Sequence, residues 1–280
     1  MAHHYEGGKN GSGVYQKLIN RMPPHEVYIE PFLGSGAVMR LKRPARLNIG
    51  VDLDPKALEK AVPPALSPSV AISAAPVATF ELRRRRSARL ALPDPLVQFG
   101  MGRSRFELFQ HDGIAFLESY AFTGLELVYC DPPYVISTRS KTKHGCGGYL
   151  RYRFEMADVD HRRFLRVIQD LPCRVMVSGY DSPMYQAALK TWIHSTYQAM
   201  TRKGLKTESL WCNFEPPEEL HDYSYAGKDY RDRERIKRLV AREIARLNRR
   251  PPLDRRVLLA AIADIDRTGD GSGGTARFGD

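Results

Sequence analysis

The feature that most constrains the fold is a rhythm of short apolar runs alternating with stretches of helical spacing. Residues 27–32 (VYIEPF) have strand character and lead through LGSG into an apolar helix start. Residues 47–54 (LNIGVDLD) repeat the pattern and are followed by PKALEKAV, with Pro55 at a favoured helix-start position. From Phe106 the alternation resumes: FELFQHD as strand, GIAFLESY as helix, LELVYCD as strand, then ADVDHRRFLRVIQDLP with Phe164, Leu165 and Ile168 on one helical face. RVMVSGY and SPMYQAALKTW supply a further strand and helix. Consecutive strands joined through helices run parallel, and the helices cover both faces of the sheet. IHSTYQAM and TESLWCNF break the rule, because only a short loop with Arg202, Lys203 and Gly204 separates them; they are expected as an antiparallel hairpin on the sheet edge. The expected class is α/β, mostly parallel with an antiparallel C-terminal edge hairpin.

Two segments fall outside the rhythm. Residues 62–105 carry a Pro/Ala/Ser-rich run and then RRRR at 83–86, with no sustained period of 2 or 3.6, and read as a partly disordered insertion. After Phe214, EPPEELHDYSYAGKDY has the composition of a linker. RDRERIKRLVAREIARLNRR then sets Ile236, Leu239, Val240, Ile244 and Leu247 at helical spacing in a basic background, an amphipathic helix with a stripe suited to docking on a core. Pro251 and Pro252 stop it, DRRVLLAAIADI could form a second short helix, and the final GDGSGGTARFGD is expected to be disordered. The chain thus divides into a main domain, 1–214, and a basic helical extension, 215–280.

A net charge of +11 favours a polyanionic partner, although the same excess also serves as a solubilising surface. No apolar run is long enough to span a bilayer, and MAHHYEGGKNGSG lacks the apolar core of a secretory signal, so a soluble, intracellular protein is expected. Cys130, Cys146, Cys173 and Cys212 lack the paired spacings of a zinc site and sit among apolar neighbours; buried free thiols, no metal and no disulfide framework are expected.

The chemistry concentrates at strand ends. In EPFLGSG, glycines let the backbone approach a ligand at the carboxyl end of a parallel strand, although such a turn also serves as a plain connection. One unit later, Asp52 can accept hydrogen bonds from both hydroxyls of a ribose, which with the glycine turn suggests a nucleoside-containing cofactor. The other role open to Asp52 is a helix cap, for which Asp54 is better placed. Asp112 could meet an adenine edge or cap its helix. The fourth strand ends in Asp131, Pro132, Pro133 and Tyr134, where two prolines fix the turn. An exocyclic base amine is a poor nucleophile because its lone pair is delocalised, and acceptors on its N–H bonds free that pair. Asp131 and the Pro132 carbonyl can be those acceptors, and the Tyr134 ring offers a face for an extruded base.

The order EPFLGSG then DPPY, on successive units, resembles the Dam-like adenine-specific DNA methyltransferases, which use S-adenosylmethionine. YEGGK, with Tyr5 and Lys9, is similar to that family's N-terminal element, though Tyr5 stands where tryptophan is usual and Glu6 replaces a small residue. The resemblance spans residues 5–214 apart from the insertion. It implies a Rossmann-like class I methyltransferase sheet in a cytoplasmic protein of bacterial or phage origin. Tyr5, Lys9, Glu30, Pro31, Phe32, Gly34, Gly36, Asp52, Asp112 and Asp131 would hold the cofactor, and residues 131–134 the flipped adenine of double-stranded DNA. The family's recognition domain has no room between Asp112 and Asp131, so recognition is expected elsewhere: in the Arg-rich insertion, the basic helix, or the loop after Tyr134. That loop carries Arg139, Lys141, Lys143, Arg151 and Arg153 interleaved with Tyr149 and Tyr152, a composition suited to phosphate contact and base stacking. An RNA adenine methyltransferase would share the chemistry, and a catalytically inactive DNA-binding protein could share the fold.

Overall fold

The computed structural model describes residues 9, 11, 13–61, 97–101, 103–139, 153–201 and 204–268. The chain divides into two units, residues 1–226 and 227–280.

The first unit is built on an eight-stranded sheet. Its strands are β1 (Val27–Glu30), β2 (Leu47–Asp52), β3 (Val97–Met101), β4 (Ser104–Gln110), β5 (Glu126–Cys130), β6 (Arg174–Gly179), β7 (Ile193–Thr201) and β8 (Gly204–Cys212). They lie in the order β3-β4-β2-β1-β5-β6-β8-β7. From β4 to β6 all neighbours are parallel. The expected C-terminal hairpin is present: β8 pairs antiparallel with both β6 and β7. The run β4-β2-β1-β5-β6 is the strand order of a doubly wound nucleotide-binding sheet, with the reversal between β1 and β5. A crevice opens at such a reversal, because successive connections leave on opposite faces of the sheet.

Burial on both faces explains the near-continuous apolar strands. Tyr28, Leu127, Tyr129, Met176 and Leu210 pack on one side with Val14 and Leu18 of α1 (Val14–Ile19), Val38 of α2 (Ala37–Leu41) and Leu58 of α3 (Pro55–Ala61). Ile29, Val128, Cys130, Val177 and Trp211 pack on the other with Phe116 of α4 (Gly113–Ser119), Phe164 of α5 (Asp158–Gln169) and Tyr185 of α6 (Pro183–Ala188). The period of two along each strand assigns alternate residues to opposite layers. In α5 the buried residues His161, Phe164, Leu165 and Ile168 follow the helical spacing read from the sequence. Asp160 returns a carboxylate oxygen to the Ala157 N–H at 2.9 Å, which satisfies one exposed donor at the helix start.

Three boundaries differ from the sequence reading. Residues 97–101 and 104–105, placed in the insertion, belong to the sheet: β3 pairs antiparallel with β4, which begins at Ser104 rather than Phe106. Residues 62–96 lie outside the described residues. Residues 215–226 are not a free linker, because His221 and Asp222 are buried. The His221 N–H donates to the Met22 carbonyl at 2.9 Å, and Asp222 accepts from the Arg43 N–H at 2.7 Å. Composition marked this stretch as polar, but its polar groups find partners in the first unit.

The second unit contains α7 (Tyr230–Asn248) and α8 (Pro252–Thr268). α7 matches the amphipathic basic helix, its start capped by Asp229, which accepts from the Asp232 N–H at 2.9 Å. Within this unit it buries no residue, and Leu239, Val240 and Ile244 of the apolar stripe are 40%, 50% and 53% exposed. α8 is longer than the short helix expected and also exposes its apolar side chains. The tail from 269 lies outside the described residues. No helix among the described residues is long and apolar enough to cross a membrane.

Candidate active site

The carboxyl ends of β1 and β2 form one wall of the crevice. After β1 the chain turns through Gly34 and Gly36, both in the left-handed region at φ 53° and 60°. That region costs other L-residues energy and is free to glycine. Gly36 is also where α2 meets α3, since a Cβ there would come within 2.9 Å of the Ala61 Cβ. At the end of β2, Asp52 Oδ2 accepts from the Gly34 N–H and Oδ1 from the Asp54 N–H, each at 2.8 Å. Asp52 thus ties the glycine turn to the neighbouring strand. Each carboxylate oxygen has a second lone pair, so these bonds leave acceptor capacity for ribose hydroxyls. Burial raises the Asp52 pKa, and the backbone N–H bonds oppose that rise. Asp54 takes the cap position of α3, accepting from the Lys56 N–H at 3.1 Å.

Asp112 is a cap: its Oδ1 accepts from the Ala115 N–H at 2.7 Å at the start of α4. The next residue, Gly113, lies so close to the glycine turn that a Cβ would overlap the Pro31 carbonyl oxygen. Phe32 is half-buried, edge-on to Phe164 with ring centroids 5.4 Å apart. Glu30 turns away from the role expected of it. It accepts the Tyr28 hydroxyl at 2.6 Å, and burial pushes its carboxyl up to about 8 while pushing the nearby Lys42 ammonium down to about 7.

The second wall is the end of β5. Asp131 Oδ1 receives Ser178 Oγ at 2.7 Å and lies 2.8 Å from Lys9 Nζ and 3.2 Å from the Tyr134 hydroxyl. Ser178 Oγ also lies 2.9 Å from the Tyr129 hydroxyl. With one proton per hydroxyl, Tyr129 donates to Ser178 and Ser178 to Asp131. The Tyr134 hydroxyl accepts from Lys9 Nζ at 2.6 Å and lies 2.9 Å from Glu208 Oε2. Its single proton goes to the nearer carboxylate, Glu208, which also accepts from the Tyr197 hydroxyl at 2.8 Å. Lys9 completes the cluster 3.3 Å from Glu208. Burial raises the Asp131 pKa, Lys9 opposes the rise, and the like charge of Glu208 adds to it. All three contacts fall on Oδ1, and among the described residues none falls on Oδ2.

Several residues sit differently from the sequence expectation. Lys9, assigned to the cofactor, is bonded to the Asp-Pro-Pro-Tyr segment itself. Tyr134 is only 8% exposed, so little of its ring remains at the surface; it packs edge-on against Tyr180 at 4.6 Å. Arg139, expected as a phosphate contact, turns inward. It is 5% exposed, donates Nε to the Tyr134 carbonyl at 2.7 Å and pairs with Glu155 at 2.7 and 2.8 Å, because a buried guanidinium requires a carboxylate. Arg153 is exposed but paired with Asp54 at 3.1 Å. Tyr5, Lys141, Lys143, Tyr149, Arg151 and Tyr152 lie outside the described residues.

Ser178, Glu208, Tyr197 and Tyr180 escaped the sequence reading. Ser178 and Tyr180 lie in SGYD at the end of the strand next to β5, a position that strand order would have flagged. Glu208 sits in an apolar strand, TESLWCNF, with no local signal that it faces a lysine near the N-terminus. Cys130 and Cys212 are buried and Cys173 is half-buried; Cys146 lies outside the described residues.

No protein-family model matches the chain, and no curated protein matches it. Similar solved structures include M. capricolum TrmK in complex with S-adenosyl-homocysteine, at 7% identity over 92% of this chain and 96% of that chain, TM-score 0.41. An rRNA methylase from Streptococcus thermophilus has 13% identity over 71% of this chain and 93% of that one, TM-score 0.37. A dimethyladenosine transferase from Plasmodium falciparum has 9% identity over 71% and 58%, TM-score 0.36. Likenesses this weak carry no weight for function.

Proposed function

We propose that this chain is an S-adenosylmethionine-dependent methyltransferase that methylates the N6 amine of adenine in double-stranded DNA. The observation that carries the reading is Asp131: a half-buried carboxylate at the crevice, anchored through Oδ1 by Ser178 and Lys9 with Oδ2 left to accept. The glycine turn and Asp52 supply the partner half of the site across the strand-order reversal. Their donor set suits a nucleoside, because Asp52 retains lone pairs for ribose hydroxyls beside a turn without side-chain bulk. S-adenosylmethionine would be held by Gly34, Gly36 and Asp52, and it supplies an electrophilic methyl group on a sulfonium.

In this reading Asp131 Oδ2 and the Pro132 carbonyl accept the two amine hydrogens, which frees the nitrogen lone pair for attack. Lys9 keeps Asp131 ionised against burial, so that it can accept rather than donate. After transfer the nitrogen carries a surplus proton, for which Asp131 is the adjacent base. Fixed geometry supplies the rest, since an in-line displacement depends on alignment more than on a strong base. The test is transfer of a labelled methyl group to duplex DNA, single-stranded DNA and RNA, with Asp131→Ala as control. Label in DNA adenine that Asp131→Ala lowers at least about 100-fold supports the reading. Label in RNA alone redirects it to an RNA substrate, and a protein that binds S-adenosylmethionine but labels neither is not this enzyme.

A further inference from the structure

With Tyr134 buried and its hydroxyl engaged, the base-stacking role expected of it needs another ring. Tyr180, the residue after β6, is half-buried at the crevice edge, 4.6 Å from the Tyr134 centroid at an interplanar angle of 66°. Lys206 approaches it from β8, its Nζ 5.8 Å from the Tyr180 centroid. Side chains alternate along β8, so Lys206 shares a face with Glu208, the carboxylate that holds Tyr134. β8 is antiparallel to β6, and its pairing begins at Ser209 opposite Gly179. Residues 204–208 therefore run past the carboxyl end of β6 and carry Lys206 over the crevice side of the sheet.

We propose that Tyr180 and Lys206 form a nucleotide subsite at the lip of the Asp131 site, with the target base on the Tyr180 ring and its phosphate on the Lys206 ammonium. The pairing has the two elements that bind an unstacked nucleotide: an aromatic face, which any base can use, and a cation for the backbone. It lies within one ring diameter of Tyr134, as a base whose amine must reach Asp131 requires. The inference rests on the proposed nucleic-acid substrate.

The test compares wild type, Tyr180→Ala, Tyr180→Phe and Lys206→Ala by oligonucleotide KM and kcat, salt dependence of binding, and S-adenosylmethionine affinity. Tyr180→Ala is expected to raise the oligonucleotide KM about tenfold, the scale of one lost base stack, and Tyr180→Phe to restore it. Lys206→Ala is expected to lower the slope of log K against log salt by about 0.9 on duplex DNA. Cofactor affinity should be unchanged in all three, which separates a substrate subsite from a general loss of folding. An active wild type with variants of unchanged KM and salt slope overturns the subsite alone. A wild type that binds cofactor but methylates neither DNA nor RNA overturns the functional reading and the subsite with it.

Discussion

Lys9 Nζ lies 2.8 Å from Asp131 Oδ1, with the two side chains only 7% and 18% exposed. At that burial the ammonium opposes the rise that desolvation imposes on the Asp131 pKa. Glu208 is the opposing influence: it places a second negative charge on the same ammonium at 3.3 Å. The lysine's positive charge offsets the repulsion between the two carboxylates it contacts.

The pH profile should expose this balance. Activity needs ionised Asp131, so it falls as pH drops through the raised Asp131 pKa. Lys9→Met removes the charge that opposes the rise, and the acid limb of kcat/KM is expected to move to higher pH. Glu208→Gln removes a like charge, and the limb is expected to move to lower pH. Glu30, at about 8, and the phenols of Tyr28, Tyr129, Tyr134 and Tyr197 face the same region and remain in both variants. Shifts in the same direction would show that the variants disturb structure rather than charge.

Asp52→Ala should weaken S-adenosylmethionine binding by about 1.5–3 kcal/mol, the scale of a hydrogen bond to a charged group. It also releases the Gly34 N–H from the neighbouring strand. Calorimetric titration measures the loss, and an unchanged Kd would confine Asp52 to a structural tie.

Arg139→Ala is expected to destabilise the fold by about 3–5 kcal/mol, because it strands the Glu155 carboxylate and strips the Tyr134 carbonyl of a donor. Denaturant unfolding gives the value. The salt slope of DNA binding should not change, whereas a slope reduced by about one contact would return Arg139 to the phosphate role its loop suggested.

Removal of residues 227–280 takes away α7 and its cationic side chains without deleting a buried residue of that helix. Affinity for DNA is expected to fall alike for all sequences, with the salt slope reduced by about 0.9 per lost phosphate contact. Cofactor affinity and thermal midpoint should hold. Unchanged DNA affinity and slope would exclude α7 from DNA binding. Truncation after Phe214 would be a poorer experiment, since it also removes the buried His221 and Asp222.

Much of the fold was legible locally. Alternating apolar runs announced the strands of a doubly covered sheet, the helical spacing of Phe164, Leu165 and Ile168 announced α5, and the short separation between IHSTYQAM and TESLWCNF announced the β7–β8 hairpin. β3 was missed because VQFGM, although apolar at alternate positions, follows directly on a low-complexity run and was read as part of it; in the fold it pairs with β4. Among the site residues, the glycine turn, Asp52 and Asp131 stood out because each combines a strand end with a residue that is unusual there.

What the sequence determined by itself is what depends on near neighbours: strand and helix propensity, the left-handed turn at Gly34 and Gly36, the rigid turn after Asp131. Tertiary structure alone decided what meets across the chain. Lys9 reaches Tyr134 over 125 residues and Glu208 reaches it over 74, while Arg139 turns inward to a carboxylate 16 residues away. A basic side chain in a polar loop looks the same in sequence whether it faces phosphate or a buried glutamate. The difference is a desolvation cost that only a positioned partner can offset, and the fold supplies that partner.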